Sequence, residues 1–247
     1  MIIGGLQKLT LIDYPGKLAA TVFLAGCNFR CPWCYSAELV LPEKIKKQLY
    51  PVKSAKGGAK QFNGARISEK EFFNFLESKK GLVEGVVICG GEPLLNKELP
   101  KFIKKIKKLK YAVKIDTNGS WPEMLKKLID EKLVDYVAMD IKAPKEKYSE
   151  IVGREMNIKN IERSVLLLKE NKIDYEFRTT IVPSLLKKED IIKIADWISG
   201  AKKYYLQNFR PEKTIDPKFE KIKPYPEEYL LEIQKAISPF FEMCQIR

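Results

Sequence analysis

The chain of 247 residues contains no histidine. That absence removes the side chain most often recruited as a general base near neutral pH, and with it the commonest nitrogen ligand of zinc. Cysteine is scarce, five in all, and the count is odd. An odd, clustered set argues against a disulfide framework and suits a reducing compartment where thiols persist. Long apolar runs are missing too: the longest, Leu18 to Cys27, is far shorter than a helix needs to cross a bilayer. The N-terminus lacks the charged-then-apolar layout of a secretory signal. A cytoplasmic protein with no membrane partner is expected. Neither repeats nor a linker interrupts the sequence, so we read 1–247 as a single domain, with a core over about 18–211 and a helical extension over 212–247.

What is present is a soluble balance, 45% hydrophobic and 31% charged, with a formal charge of +13. Such an excess of lysine raises the prospect of nucleic-acid binding, since Lys and Arg neutralise phosphates without regard to sequence. The distribution speaks against it. Most lysines fall in amphipathic stretches such as Lys101 to Lys110 and Lys187 to Lys193, where a solvated helix face is the simpler account. No nucleic-acid motif accompanies them. A basic surface of this kind steers acidic proteins or anionic small molecules.

Three of the five cysteines, Cys27, Cys31 and Cys34, lie within eight positions at the spacing C-x3-C-x2-C, directly after the apolar run Thr21-Val22-Phe23-Leu24. Thiolates so close in a loop can converge on one metal centre. A closed zinc site would need a fourth ligand, and only the distant Cys89 and Cys244 remain. A four-iron cluster held by three thiolates fits better and leaves one iron open to a small molecule. On the residues alone, a non-catalytic iron–sulfur or zinc protein closed by Cys89, or a nucleic-acid-binding protein, stays as an alternative of another class. For Cys89 itself, a small buried core thiol is the plain reading.

With Trp33 as the aromatic residue before its last cysteine, this loop resembles the signature of radical S-adenosylmethionine (SAM) enzymes. The lead-in Gly5-Leu6-Gln7-Lys8-Leu9-Thr10-Leu11-Ile12-Asp13-Tyr14-Pro15-Gly16-Lys17, followed by Phe23-Leu24-Ala25-Gly26-Cys27-Asn28, is similar to the start of the activating proteins of anaerobic ribonucleoside-triphosphate reductase. Those activators usually carry His-Asn after the third cysteine, where this chain has Tyr35-Ser36. The departure bears on the reaction partner. The stretch Lys53 to Lys60 reads as a basic loop, and its lack of cysteine argues against the ferredoxin-like insertion found there in some glycyl-radical activating enzymes.

Downstream, helices and short strands alternate. Ser68 with Glu71 forms a capping-box pattern before a helix with Phe72, Phe73, Phe75 and Leu76 on its apolar side. Strands are predicted over 21–24, 85–88, 111–115, 134–141, 175–182 and 204–209, and helices over 99–109, 122–132, 158–171, 190–198 and 227–237; a short helix interrupted at Pro42 is expected over 38–49. The rhythm implies parallel βαβ units. About six strands cannot close an eight-stranded barrel. The pattern alone does not separate a partial barrel from a doubly wound sheet; the resemblance implies an α/β fold of the open (β/α)6 partial-barrel type with a C-terminal helix.

Polar residues recur at the C-terminal ends of these strands. Gly90-Gly91-Glu92-Pro93 reads either as a tight turn or as a close backbone approach to a ligand; the resemblance places it against the amino group of SAM. Asp116 and Asn118 end one strand and Asp140 and Lys142 the next, with Asn118-Gly119 equally consistent with a turn. Lys142 beside Asp140 suits a carboxylate ligand, and Arg178 within an apolar strand is costly unless it meets an anion. The resemblance assigns Trp33, Gly90, Gly91, Glu92, Asp116, Asn118, Asp140, Lys142, Arg178 and Gln207 to cofactor binding, and Cys27, Cys31 and Cys34 to a 4Fe-4S cluster. The implied activity is reductive cleavage of SAM, installing a glycyl radical on an anaerobic ribonucleotide reductase, with flavodoxin or ferredoxin as electron donor. A radical enzyme acting on a pterin-like small molecule is the second reading.

Overall fold

The computed structural model describes residues 1–41 and 67–247. Part of the predicted helix over 38–49 and the basic loop over 53–60 lie outside these residues. Among the described residues eight strands follow one another in chain order in an open sheet: β1 (Ile3–Thr10), β2 (Ala19–Leu24), β3 (Gly85–Gly90), β4 (Ala112–Thr117), β5 (Tyr136–Asp140), β6 (Asp174–Ile181), β7 (Lys203–Asn208) and β8 (Met243–Ile246). The expected alternation supplies the helices α1 (Ala37–Val40), α2 (Glu69–Ser78), α3 (Leu99–Lys108), α4 (Pro122–Asp130), α5 (Tyr148–Ile151), α6 (Ile158–Lys169), α7 (Lys188–Trp197) and α8 (Glu227–Ile237). No helix among the described residues is long and apolar enough to cross a membrane.

The chain divides into two compact units. The first comprises Met1–Cys27, the described part of Glu38–Asp116, and Lys127–Tyr136. Within it β1 runs antiparallel to β2, while β2, β3 and β4 are parallel, with Phe23 opposite Cys89 and Val87 opposite Lys114. Tyr14, Ala19, Val87 and Tyr136 form a buried cluster against which Cys89 packs. The Ser68–Glu71 capping box forms as the sequence predicts. Of the aromatic side of α2, Phe72 is buried and stacks on Phe102 of α3 with ring centroids 5.3 Å apart. Along α3 most lysines are solvated but matched: Lys104 meets Glu131 at 2.7 Å, Lys105 meets Glu69 at 2.6 Å, and Lys107 meets Asp135 at 2.7 Å.

The second unit comprises Asn28–Ala37, Thr117–Lys126 and Val137–Arg247. Here β6, β7 and β8 are parallel, Arg178 lying opposite Tyr205 and Tyr205 opposite Gln245. Tyr148, Tyr175, Phe177 and Tyr204 are among its largest fully buried side chains. Strands β1 and β8 have no counterpart in the sequence prediction. β1 carries two glycines, which weaken strand propensity, and β8 spans only four residues. What holds β8 is tertiary: Arg247 donates from both Nη1 and Nη2 to Glu176, at 2.9 and 3.3 Å, and stacks on the Tyr205 ring at 3.3 Å.

Glu176 is fully buried, whereas the Arg247 side chain is 36% exposed. Removing the cation leaves a buried carboxylate short of a partner, a large penalty when complete and smaller here because one end is wet. Arg247→Ala is therefore expected to lower stability by about 2 kcal/mol in urea unfolding. Glu176→Gln in the same background should restore part of the loss; an unchanged midpoint for Arg247→Ala would show that the pair does not pin β8.

Candidate cofactor site

In the first unit the stretch leading into Cys27 is braced by β3. Gly91 donates its N–H to the Leu24 carbonyl at 2.8 Å and Glu92 donates to the Gly26 carbonyl at 2.7 Å. A side chain at Gly91 would place its Cβ 2.0 Å from the Gly26 oxygen. Gly90 sits at φ +121, with the Leu24 backbone in the same relation. The two glycines therefore permit close passage of two protein backbones. Glu92 is fully buried, its Oε1 accepting the Leu94 N–H at 3.0 Å to cap a short 3-10 turn. Asp116 accepts from the ammonium of Lys114, a lysine buried within β4.

The rest of the cysteine loop belongs to the second unit and is held from three directions. Asn28 donates to Ser120 Oγ at 3.0 Å and accepts from Asn118 Nδ2 at 3.0 Å. Asn118 Oδ1 in turn accepts from the Ser120 N–H and hydroxyl, so this turn residue also anchors the loop. The Arg30 N–H donates to the Val152 carbonyl at 2.8 Å, and Gly153, at φ +63, lies so near that a Cβ would meet the Arg30 oxygen at 2.6 Å. The Cys34 carbonyl accepts from Ile215 N–H at 3.0 Å and the Pro32 carbonyl from Asp216 N–H at 2.9 Å. Sequence reasoning missed Ser120, Val152, Gly153, Ile215 and Asp216. Backbone acceptors and donors leave no residue-type signal.

Cys31 is buried and Cys34 half-buried, both thiols; Trp33 between them is 5% exposed and its indole N–H has no hydrogen-bond partner among the described residues. Phe29 packs edge-on to the buried Tyr148, with centroids 6.4 Å apart, and the Tyr148 hydroxyl accepts the Lys142 N–H at 3.2 Å. Lys142 Nζ lies 5.1 Å from the Trp33 ring centroid and donates to Asp140 Oδ2 at 3.0 Å. Arg178 Nε donates to Asp140 Oδ1 at 2.9 Å. Burial alone would raise the Asp140 pKa, but Arg178 and Lys142 outweigh it and hold the carboxyl down at about 2. For Lys142, burial would lower the pKa; Asp140 foremost reverses this and drives it upward. Gln207 is half-buried on β7 opposite Thr180.

Trp33, Asn118, Asp140, Lys142 and Arg178 thus fall in one unit with Cys31 and Cys34, and Gly90, Gly91, Glu92 and Asp116 in the other with Cys27. The donor set suits an iron–sulfur cluster: soft thiolates on a loop whose backbone is fixed from outside, beside an unsatisfied buried indole N–H. Among the described residues no three His, Cys, Asp or Glu side chains gather as ligands of a single ion would. A four-iron cluster makes no such demand, because each thiolate binds a different iron.

The profile of the Radical SAM superfamily matches residues 21–198. A Methanocaldococcus jannaschii protein, named as a candidate glycyl-radical enzyme activating enzyme, is 34% identical over 251 residues, covering 100% of this chain and 95% of that protein. The 7-carboxy-7-deazaguanine synthase of Aquifex aeolicus is 32% identical over 116 residues, 47% of this chain and 43% of that enzyme. Among solved structures, QueE from Escherichia coli shares the fold, with a TM-score of 0.56 at 16% identity over 100% of this chain and 94% of that one. Since the cysteine loop lies inside the matched span and a relative aligns from end to end, this chain belongs to the radical SAM superfamily, enzymes that use a 4Fe-4S cluster and S-adenosylmethionine.

Proposed function

We propose that Cys27, Cys31 and Cys34 hold the 4Fe-4S cluster and that the enzyme uses it to install a glycyl radical on a protein partner, an anaerobic ribonucleotide reductase. The observation that carries the reading is the cysteine loop, clamped by Asn118, Ser120, Val152, Ile215 and Asp216. The choice of partner rests on the full-length similarity to a candidate glycyl-radical enzyme activating enzyme and on the lead-in Gly5 to Lys17. When bound, the reduced cluster and SAM supply a 5′-deoxyadenosyl radical that abstracts a hydrogen atom.

The chain's own residues orient, neutralise and dry the site. An ammonium has three donors, and Asp140 takes one from Lys142; we assign the others to the carboxylate of SAM. Asp140, ionised at every working pH, holds both Lys142 and Arg178 in place. Phe29, Trp33 and Tyr148, all buried, exclude water beside the cysteines. Hydrogen-atom abstraction needs no general base, so the lack of histidine is no obstacle. The roles of Gly90, Gly91, Glu92, Asp116, Asn118 and Gln207 toward SAM rest on the family resemblance. Flavodoxin or ferredoxin in a reducing cytoplasm would supply the electron. A pterin-like small molecule in place of the protein is the second reading; a relative over about half the chain is named as the synthase of a small molecule, 7-carboxy-7-deazaguanine.

Three measurements check these assignments. After anaerobic reconstitution, alanine at Cys27, Cys31 or Cys34 should abolish bound iron and sulfide, and dithionite-driven 5′-deoxyadenosine with them. Cys89→Ala should retain both, and loss of its cluster would sink the three-cysteine model. Lys142→Met should keep its iron yet bind SAM about tenfold more weakly by equilibrium dialysis, the worth of one charge-assisted hydrogen bond; unchanged affinity would remove Lys142 from the site. Finally, mixing the reduced enzyme, SAM and the source organism's reductase should give a glycyl-radical doublet on the reductase by electron paramagnetic resonance. Deoxyadenosine release stimulated by a pterin, with no doublet, would transfer the assignment to the second reading.

A further inference from the structure

In the first unit β2, β3 and β4 are parallel, so their C-terminal ends lie on one side. There β2 runs on into Cys27, β3 ends at Gly90, and Asp116 is the next-to-last residue of β4. Side chains two apart on a strand share a face, so Ala112, Lys114 and Asp116 look the same way. It is the face on which Ala112 packs against Tyr14, Ala19, Val87 and Tyr136. Val87 stands opposite Lys114 on one side and Thr21 on the other. An apolar floor thus gives way to Lys114 and then, nearer the strand end, to Asp116.

Lys114 is the only buried lysine or arginine among the described residues, its side chain 2% exposed. Its ammonium donates to Asp116 Oδ1, its one partner among those residues. Taking an ammonium out of water is expensive, and exchanging a buried ion pair for apolar side chains is often neutral or stabilising. Beside alanine, valine and tyrosine, an aliphatic residue at 114 would pack without that penalty. Stability therefore does not account for the lysine. What it does supply is a carboxylate fixed from below: Asp116, with a side chain 14% exposed, offers about four acceptor sites, of which Lys114 takes one. The same pairing recurs on β5 in the opposite order, where Asp140 comes first and Lys142 lies two residues beyond it.

We propose that Lys114 is a positioning residue for cofactor binding: it holds Asp116 so that another acceptor site of the carboxylate meets a hydrogen-bond donor of SAM at the end of β4. The proposal rests on the reading above in giving Asp116 a role toward SAM, and extends it to a lysine that touches no ligand itself. Asp116 is tied to the cysteine loop through the chain on either side of it. Asn118, two residues on, donates to Asn28, and on the neighbouring strand Gly91 and Glu92 donate to the carbonyls of Leu24 and Gly26 ahead of Cys27. A carboxylate already balanced by its own buried cation brings no net charge with it, so it can accept from N–H or O–H groups of the ligand without a further counter-ion.

The test is equilibrium dialysis of SAM against the reconstituted enzyme carrying Lys114→Met, Lys114→Arg, Asp116→Asn or the pair Lys114→Met/Asp116→Asn, with iron, sulfide and urea unfolding measured alongside. Lys114→Met should keep its cluster yet bind SAM about tenfold more weakly. Lys114→Arg, which retains the cation and its donors, should stay within about threefold. The losses should not add in the double variant, because a lysine that acts only through Asp116 then has nothing left to position. A merely structural pair would instead shift the unfolding midpoint and leave the affinity of the folded enzyme within about twofold of wild type, overturning the proposal, as would additive losses. Weaker binding by Asp116→Asn but not by Lys114→Met would reject Lys114 alone, whereas unchanged binding by both would reject the role of Asp116 as well. Should Lys114→Met lose its cluster, the double variant, which leaves no unpaired buried charge, decides: weakened binding supports the pair and wild-type affinity overturns it.

Discussion

A loop carrying three thiols within eight residues cannot satisfy its own backbone by helix or sheet pairing, so its polar groups must be met from elsewhere. In the second unit several of these needs are answered by distant segments. Asn118 and Ser120 follow β4, Val152 ends α5, and Ile215 and Asp216 come after β7. These are the contacts on which the rest of the site depends, because ligands that are not held in place cannot be oriented toward one cluster. They also explain why the segment after β7 matters although it adds little regular structure: its N–H groups terminate on the carbonyls of Pro32 and Cys34.

A second dependence is electrostatic. Lys142, Asp140, Arg178, Glu176 and Arg247 alternate in sign from β5 through β6 to the end of β8, each within ion-pair reach of the next, the longest step being Arg178 to Glu176 at 3.9 Å. Buried charges of this kind contribute little net stability compared with apolar packing. Their value is geometric. Each cation is fixed by a carboxylate on a strand, so Lys142 keeps its place over Trp33 with donors to spare.

The sequence disclosed what has a residue-type signature. Cys27, Cys31 and Cys34 stand out by spacing, Ser68 and Glu71 by their capping pattern, and Arg178 by being a cation in an apolar strand; Asp140 beside it repays that anomaly. Two kinds of feature stayed hidden. One is pairing set by tertiary contact: β1, with its glycines, and the four residues of β8 carry no periodic pattern strong enough to be seen. The other is backbone hydrogen bonding, as at Val152 and Ile215, which any residue can supply. The glycines at 90 and 91 were legible as a close approach, but not what they approach. The neighbour the structure supplies is the Leu24–Gly26 backbone.

Lysine count, so prominent in the composition, turns out to be the least informative quantity until partners are known. Along α3 the side chains at 101, 104, 105 and 107 are spoken for by Glu98, Glu131, Glu69 and Asp135, and exposed pairs like these contribute at most about 1 kcal/mol each. They set solubility and surface character rather than recognition. Charge that is matched within a unit gives only a weak field at a distance. Position along α3 decides which lysines are matched: those at 101, 104, 105 and 107 each meet a carboxylate, whereas Lys108, at the helix end ahead of β4, makes no ion pair among the described residues.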